Sequence, residues 1–335
     1  MFDLPQEALR GIMFFDRLHW DSNILATDGP DFDWVKYFRE VPRVADYDLK
    51  AKMEEWHEVG VVTFEDCIPH SIIDGFLEDI SFLCANRKDY SVEVEHKGGR
   101  YPINELPIDP FTDTGIKFNC LENVSLAARA LSLNALVCDF LGHVFQDSPA
   151  LIQSLTFWRG SEQAAHLDYP WVRVQNKLPH LAASWVPLED IHEDAGPLAY
   201  YAGSHKHGAI PPFDWGGGSL TQEVNSERTP NDFVAYLAEQ IDRNNFQKKL
   251  FLPRKGDALI WHGNLLHEGT KVKDQNRTRR SYVSHYTSLS AYPVDHRYVD
   301  AFEAKRYTRF SNGYSFDHPW SSGTNLLPSW RSLSV

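Results

Sequence analysis

Residues 150–169, ALIQSLTFWRGSEQAAHLDY, decide how the chain is read. Before them the sequence has helical texture. From about Ala150 it changes to short, β-like runs. LIQSLTFW is the first of these, and QAAHLDY carries the pair His166-Leu167-Asp168. Side chains of an extended chain alternate between two faces, so His166 and Asp168 share one. The small residues Ala164 and Ala165 leave room beside the pair. A buried aspartate is costly unless paired or metal-bound. A second histidine from a distant strand can close the set. Two imidazoles and one carboxylate cover one side of an iron and leave the other side open.

Further β-like runs follow: LAASWVPL, PLAYYAG, LFLPRKG, DALIWHG and RSYVSHYTS, separated by Gly, Pro, Asn or Asp turns. Many short strands punctuated in this way predict a sandwich or a closed barrel. The distal histidine has two candidates in DALIWHGNLLHEGT, His262 and His267. His262 can equally be a strand-end histidine bonded to backbone. A polar insertion runs from about Pro211 to Lys249. It holds Gly216, Gly217 and Gly218 and a predicted helix over 231–243. Its glycines suggest a mobile lid over the barrel mouth that selects substrate.

Upstream, DYDLKAKMEEWHEV (Asp46 to Val59) has helical periodicity, Gly60 breaks it, and VVTFEDCI reads as a strand. SIIDGFLEDISFLC (Ser71 to Cys84) is a second amphipathic helix, and a third is predicted near Val124–Phe145. The expected organisation is an N-terminal extension over 1–45 and a single domain over 46–290. Within that domain helical support covers 46–148 and a β core covers 150–290, with the insertion at 211–249. A C-terminal tail over 291–335 packs on the domain.

The 335 residues are ordinary in hydrophobic content (42%) and charge (24%), as a soluble globular protein requires. The formal net charge of -13 makes nucleic acid and anionic membrane poor partners. No run of about 18 apolar residues predicts a membrane span, and the N-terminus does not read as a signal peptide. Cys67, Cys84, Cys120 and Cys138 are widely spaced and read as reduced thiols, which suits a cytoplasmic protein.

The order of several blocks resembles the phytanoyl-CoA dioxygenase-like (PhyH) family of Fe(II)/2-oxoglutarate oxygenases, from about Lys50 to Tyr286. The blocks are GVVTFEDCI between two helices, HLD, SWVPLEDIHEDAGPLAYYAGSH, KGDALIWHGNLLHEGT and NRTRRSYVSHY. The resemblance implies a mainly β fold, a double-stranded β-helix (jelly-roll, cupin-like barrel) flanked by N-terminal α-helices. It selects His267 over His262 and so implies His166, Asp168 and His267 as Fe(II) ligands. The family's His-Gly-Ser stands here as His267-Glu268-Gly269, a departure that touches the co-substrate's surroundings.

A guanidinium holds a carboxylate through two parallel hydrogen bonds. Aligned on the family's ending, here His285-Tyr286, Arg279 is implied to hold the distal carboxylate of 2-oxoglutarate. Arg280 is the alternative if the register slips by one, and Arg277 reads as surface charge. Gln153, Trp185 and Thr270 are further expected 2-oxoglutarate contacts. Asn119, Lys117, Tyr169 and Trp171 are expected to line the substrate pocket. Gly196-Pro197 and the Gly203-Ser204-His205 stretch look like turn geometry.

The resemblance implies oxidation, most simply hydroxylation, of a small-molecule substrate by O2, with release of succinate and CO2. The substrate could be a natural-product, sugar-containing or acyl metabolite. Related halogenases carry a small residue where Asp168 stands, so Asp168 argues against halogenation. Two rival readings stand beside this one. A His-Asp-His set could bind zinc and hydrolyse, or an aromatic-rich barrel could bind a ligand without catalysis.

Overall fold

Helix α1 (Leu49–Val59) begins where Asp48 accepts a hydrogen bond from Ala51 N, and it stops at Gly60, whose φ of 80° closes the last turn. A Cβ at position 60 would also overlap the His205 ring, so glycine is required twice over. The computed structural model describes residues 25, 46–172, 174, 178–293, 307–316 and 325–332. The expected extension over 1–45, Leu25 aside, and part of the expected tail over 291–335 lie outside them. Among the described residues no helix is long and apolar enough to cross a membrane. The four cysteines are free thiols.

Strand β1 (Val61–Phe64) is shorter than the run VVTFEDCI suggests; the chain turns at Asp66, whose φ is 45°. Helix α2 (His70–Ala85) buries Ile73, Phe76, Ile80 and Leu83, a spacing that makes one apolar stripe. The helix expected near 124–145 is two, α3 (Leu126–Ser132) and α4 (Ala135–Phe145). Asn134 divides them because its side chain accepts from Leu136 N and Val137 N, which starts a new helix.

The large sheet comprises β1, β2 (Glu93–His96), β3 (Gly99–Pro102), β4 (Lys117–Asn119), β5 (Pro149–Phe157), β6 (Leu181–Pro187), β9 (Ala258–His262) and β11 (Ser281–Ser288), in the order β1-β9-β6-β11-β5-β4-β2-β3. A hairpin, β12 (Tyr307–Phe310) and β13 (Gly313–Phe316), joins it at β5. The small sheet is β10 (His267–Gly269), β7 (Leu198–Tyr201) and β8 (Lys248–Leu250). Leu198 and Tyr200 of the small sheet pack with Trp185, Leu259, Trp261 and Val283 of the large one. Two sheets, antiparallel except where β13 pairs with β5, closed over one interior with helices behind the larger, make a double-stranded β-helix.

The alternation of β11 separates barrel from helices. Tyr282 and Tyr286 join the core made by the N-terminal helices, while Val283 joins the barrel interior. By the same alternation, Ser281, His285 and Thr287 face the barrel.

The insertion contains α5 (Pro230–Asn244), which starts with a Thr229/Asp232 capping box. It carries an aromatic core of its own. Trp215 lies 5.0 Å from Phe213 and 5.1 Å from Phe233, and Trp171 lies 5.3 Å from Trp215. Just past α5, Lys248 pairs with Glu268 at 2.6 Å, which ties the insertion to the small sheet.

Candidate metal centre

QAAHLDY forms no regular strand. Glu162, with φ 50°, breaks the extended run, and His166 makes only a single bridge to His267. That bridge is reciprocal: His166 N donates to His267 O at 2.9 Å, and His267 N donates to His166 O at 3.1 Å. The two rings are thereby held with centroids 4.2 Å apart. Asp168 follows at the start of a turn, where its carbonyl accepts from Trp171 N and Val172 N. One ligand-type atom from each of His166, Asp168 and His267 lies within 4.8 Å of the others, and this is the metal-type cluster among the described residues.

The outer hydrogen bonds aim these atoms. His166 Nδ1 meets Ala164 O at 2.8 Å and His267 Nδ1 meets Leu265 O at 3.0 Å. A carbonyl can only accept, so both Nδ1 atoms carry the proton and both Nε2 lone pairs face the site. Asp168 Oδ2 accepts from Trp261 Nε1 at 2.8 Å. Its Oδ1 lies 3.6 Å from His267 Nε2 and 3.9 Å from His166 Nε2. Burial pushes the Asp168 carboxyl up, but His267, His285 and His166 outweigh it and hold it below the usual carboxylate range. Burial, then the neighbouring His267, pushes the His166 imidazole down to about 3. At neutral pH the site therefore offers a neutral imidazole and an ionised carboxylate, the protonation states that a divalent metal binds.

Alternation settles which histidine of DALIWHGNLLHEGT belongs here. Trp261 points to the barrel, so its neighbour His262 points to the helices, 5.5 Å from the Trp56 ring. His262 Nδ1 accepts from Asn264 N at 3.0 Å, the strand-end role.

Arg279 is 2% exposed. Its guanidinium lies 5.5 Å from the Phe157 ring and 5.6 Å from that of Trp185. Among the described residues it has no ion pair, and its Nε has no hydrogen-bond partner. Burial brings its pKa down to about 10, so it stays charged at neutral pH. Arg280 instead pairs with Glu189 and stacks on Trp158, 5.2 Å away. Arg277 pairs with Asp274 at the surface. A buried cation without an anion is costly. Of the three arginines, only Arg279 has no carboxylate partner among the described residues.

The remaining expected residues are placed unevenly. Trp185 is buried against Phe251 and Arg279. Gln153 Nε2 lies 3.4 Å from His285 Nδ1, and Thr270 Oγ1 donates to Pro197 O at 2.8 Å. Register puts Lys117 and Asn119 on the same sheet face as Phe157 and Leu155. Lys117 pairs with Glu95 at 3.0 Å, and Asn119 donates to Glu93 at 2.7 Å. Tyr169 is 1% exposed inside the insertion's aromatic cluster, and Trp171 caps that cluster. Two neighbours of the site are additions to the sequence reading. Trp261 holds Asp168, and His285 Nε2 lies 3.7 Å from Asp168 Oδ1. For both, the available signal was strand alternation, counted back from His262 and onward from Arg279.

A family model described as phytanoyl-CoA dioxygenase matches residues 56–281. A phytanoyl-CoA dioxygenase domain-containing protein 1 from Danio rerio is 27% identical over 146 residues, 41% of this chain and 45% of that one. Its homolog from Caenorhabditis elegans is 21% identical over 165 residues, 46% and 52% of the two chains. The chain spans about half the length of the curated relatives it matches. Among solved structures, the non-heme alpha ketoglutarate dependent carbocyclase SnoK from nogalamycin biosynthesis matches with a TM-score of 0.52 at 13% identity, covering 79% of this chain and 93% of that one. EctD from S. alaskensis with bound Fe matches with a TM-score of 0.51 at 16% identity, covering 75% and 80%. These two likenesses are likenesses of fold.

Proposed function

Since the chain belongs to the phytanoyl-CoA dioxygenase family of Fe(II)/2-oxoglutarate oxygenases, we propose that it oxidises a small molecule, with hydroxylation as the reaction. One observation carries this reading. The barrel that converges two Nε2 lone pairs and a carboxylate also buries Arg279 without an anion. A zinc hydrolase has no need of that second feature, whereas a co-substrate with a chelating end and a distal carboxylate satisfies both.

In this reading His166, Asp168 and His267 hold the iron. The charged Arg279 orients 2-oxoglutarate from its far end, and Phe157 and Trp185 wall the guanidinium off from water, which strengthens the pairing. Iron and 2-oxoglutarate, when bound, supply the activation of O2: one oxygen atom enters the substrate, and the co-substrate leaves as succinate and CO2. Trp261 keeps Asp168 Oδ2 occupied, so Oδ1 is the oxygen presented to the metal. Asp168 itself fills the position that a halogenase leaves for halide. A formal net charge of -13 favours a neutral or cationic substrate over a polyanion.

Anaerobic titration of the apo-protein with Fe(II) and 2-oxoglutarate tests the reading. The weak visible charge-transfer band of the chelate is expected in the wild type and is expected to vanish in His166→Ala. Tight zinc binding without a band moves the protein to hydrolysis. Absence of any metal binding moves it to a ligand-binding barrel.

A further inference from the structure

Three imidazoles, not two, crowd one oxygen of Asp168. His267 Nε2 lies 3.6 Å from Oδ1, His285 Nε2 3.7 Å and His166 Nε2 3.9 Å. His285 is buried as deeply as His267. Distance and burial therefore do not say which rings bind a metal.

What stands behind each ring does. Behind His166 and His267 stand the carbonyl oxygens of Ala164 and Leu265, so each proton sits on Nδ1 and each Nε2 turns a lone pair to the site. Behind His285 stands an amide nitrogen: Gln153 Nε2 lies 3.4 Å from its Nδ1. An amide N–H can only donate, so Nδ1 of His285 accepts and the proton sits on Nε2. The third ring shows Asp168 an N–H instead of a lone pair.

The sheet builds this pairing. Gln153 on β5 and His285 on β11 are directly opposed, at the point where the register slips past Ile152. Opposed residues share a face, and a bulge re-aims the side chains beside it. On the other flank of His285, β6 offers only Ala183, whose methyl neither donates nor accepts. The Trp261 ring meets the imidazole edge to face at 6.4 Å.

We infer, on the reading that His166, Asp168 and His267 hold the metal, that Gln153 and His285 are a positioning pair. The Gln153 amide locks the His285 proton on Nε2, which keeps this imidazole a hydrogen-bond donor to Asp168 and leaves the metal with three protein ligands. The choice is between two tautomers of one ring, with no change of charge. A ligating histidine has an acceptor behind it, so an acceptor in place of the Gln153 amide should turn His285 into a fourth ligand.

Nitrogen-15 NMR of the histidines in the Zn(II)-loaded protein separates protonated, free and metal-bound ring nitrogens. In the wild type, His285 is expected to carry its proton on Nε2, and His166 and His267 theirs on Nδ1. In Gln153→Glu, whose carboxylate accepts where the amide donates, His285 is expected to carry its proton on Nδ1 and bind the metal through Nε2. Should Gln153→Glu fail to fold, two variants of His285 carry the question. His285→Ala, which removes the donor, should weaken Zn(II) binding about 10- to 100-fold, as for a lost outer hydrogen bond. His285→Gln restores a donor without an imidazole and is expected to recover most of that affinity. A wild-type proton on Nδ1 of His285, an unchanged tautomer in folded Gln153→Glu, or equal loss in His285→Ala and His285→Gln overturns the inference while leaving His166, Asp168 and His267 as the metal set. Absence of metal binding in the wild type overturns both.

Discussion

The two faces of strand β11 are equally buried and treat their polar groups in opposite ways. Toward the helices, Tyr282 OH meets Ser132 Oγ at 2.7 Å, Ser284 Oγ meets the same hydroxyl at 2.9 Å, and Tyr286 OH donates to Ser132 O at 2.7 Å. Toward the barrel, Arg279 Nε and Ser281 Oγ have no partner, and His285 faces a carboxylate already shared by two other imidazoles. The desolvation cost is met by the protein on one face and left unmet on the other. Polarity and burial are common to both faces. What separates them is unmet polarity that converges.

The contrast can be sharpened from either side. On the barrel side, Trp261→Phe deletes one N–H and frees Asp168 Oδ2. Loss of an outer hydrogen bond to a metal ligand is expected to weaken Fe(II) binding about 10- to 100-fold, read by titration. An unchanged affinity would show that the carboxylate needs no such support. On the helix side, Tyr286→Phe removes the O–H donor to Ser132 O and the partner of Ser184 Oγ, so it should cost about 1–3 kcal/mol in urea unfolding and leave both metal and co-substrate affinity unchanged. A drop in co-substrate affinity there would break the division between the faces.

The smallest effect concerns Glu122, which accepts from Ser154 Oγ on the helix side of the sheet. Burial raises its pKa above the ordinary value of 4.5. The folded state therefore holds this proton more tightly than the unfolded state. Its contribution is full below the unfolded pKa and is lost as pH rises toward the folded one. Stability should accordingly decline above about pH 4.5 through this group, and Glu122→Gln should flatten that part of the profile in unfolding measured across pH.

How much of this was legible depended on how local each cause is. Helix α1 and its stop at Gly60 follow from neighbours in sequence, and so does α2. The division at Asn134 turns on one side chain choosing between capping and continuing a helix, which periodicity does not register. The strand order of HLD, DALIWHG and RSYVSHYTS, with its family resemblance, pointed to His166, Asp168, His267 and Arg279. The two expected contacts Gln153 and Thr270 proved to be engaged with His285 and Pro197 O, because hydrogen-bond partners across strands depend on register. The glycine triplet suggested a flexible insertion. Its Phe213, Trp215 and Phe233 form a core within it, which no period in the sequence marks because they pack across a loop.

The bridge between His166 and His267 has a consequence for how the protein acquires its metal. Two backbone hydrogen bonds already set the spacing of the imidazoles, and each Nδ1 is anchored to a carbonyl. The socket is preformed. Domains that fold only around their metal draw their stability from it and collapse under chelators. Here a chelator is expected to strip the ion and leave a folded apo-protein that reloads without refolding, so the chain can be made first and metallated afterwards.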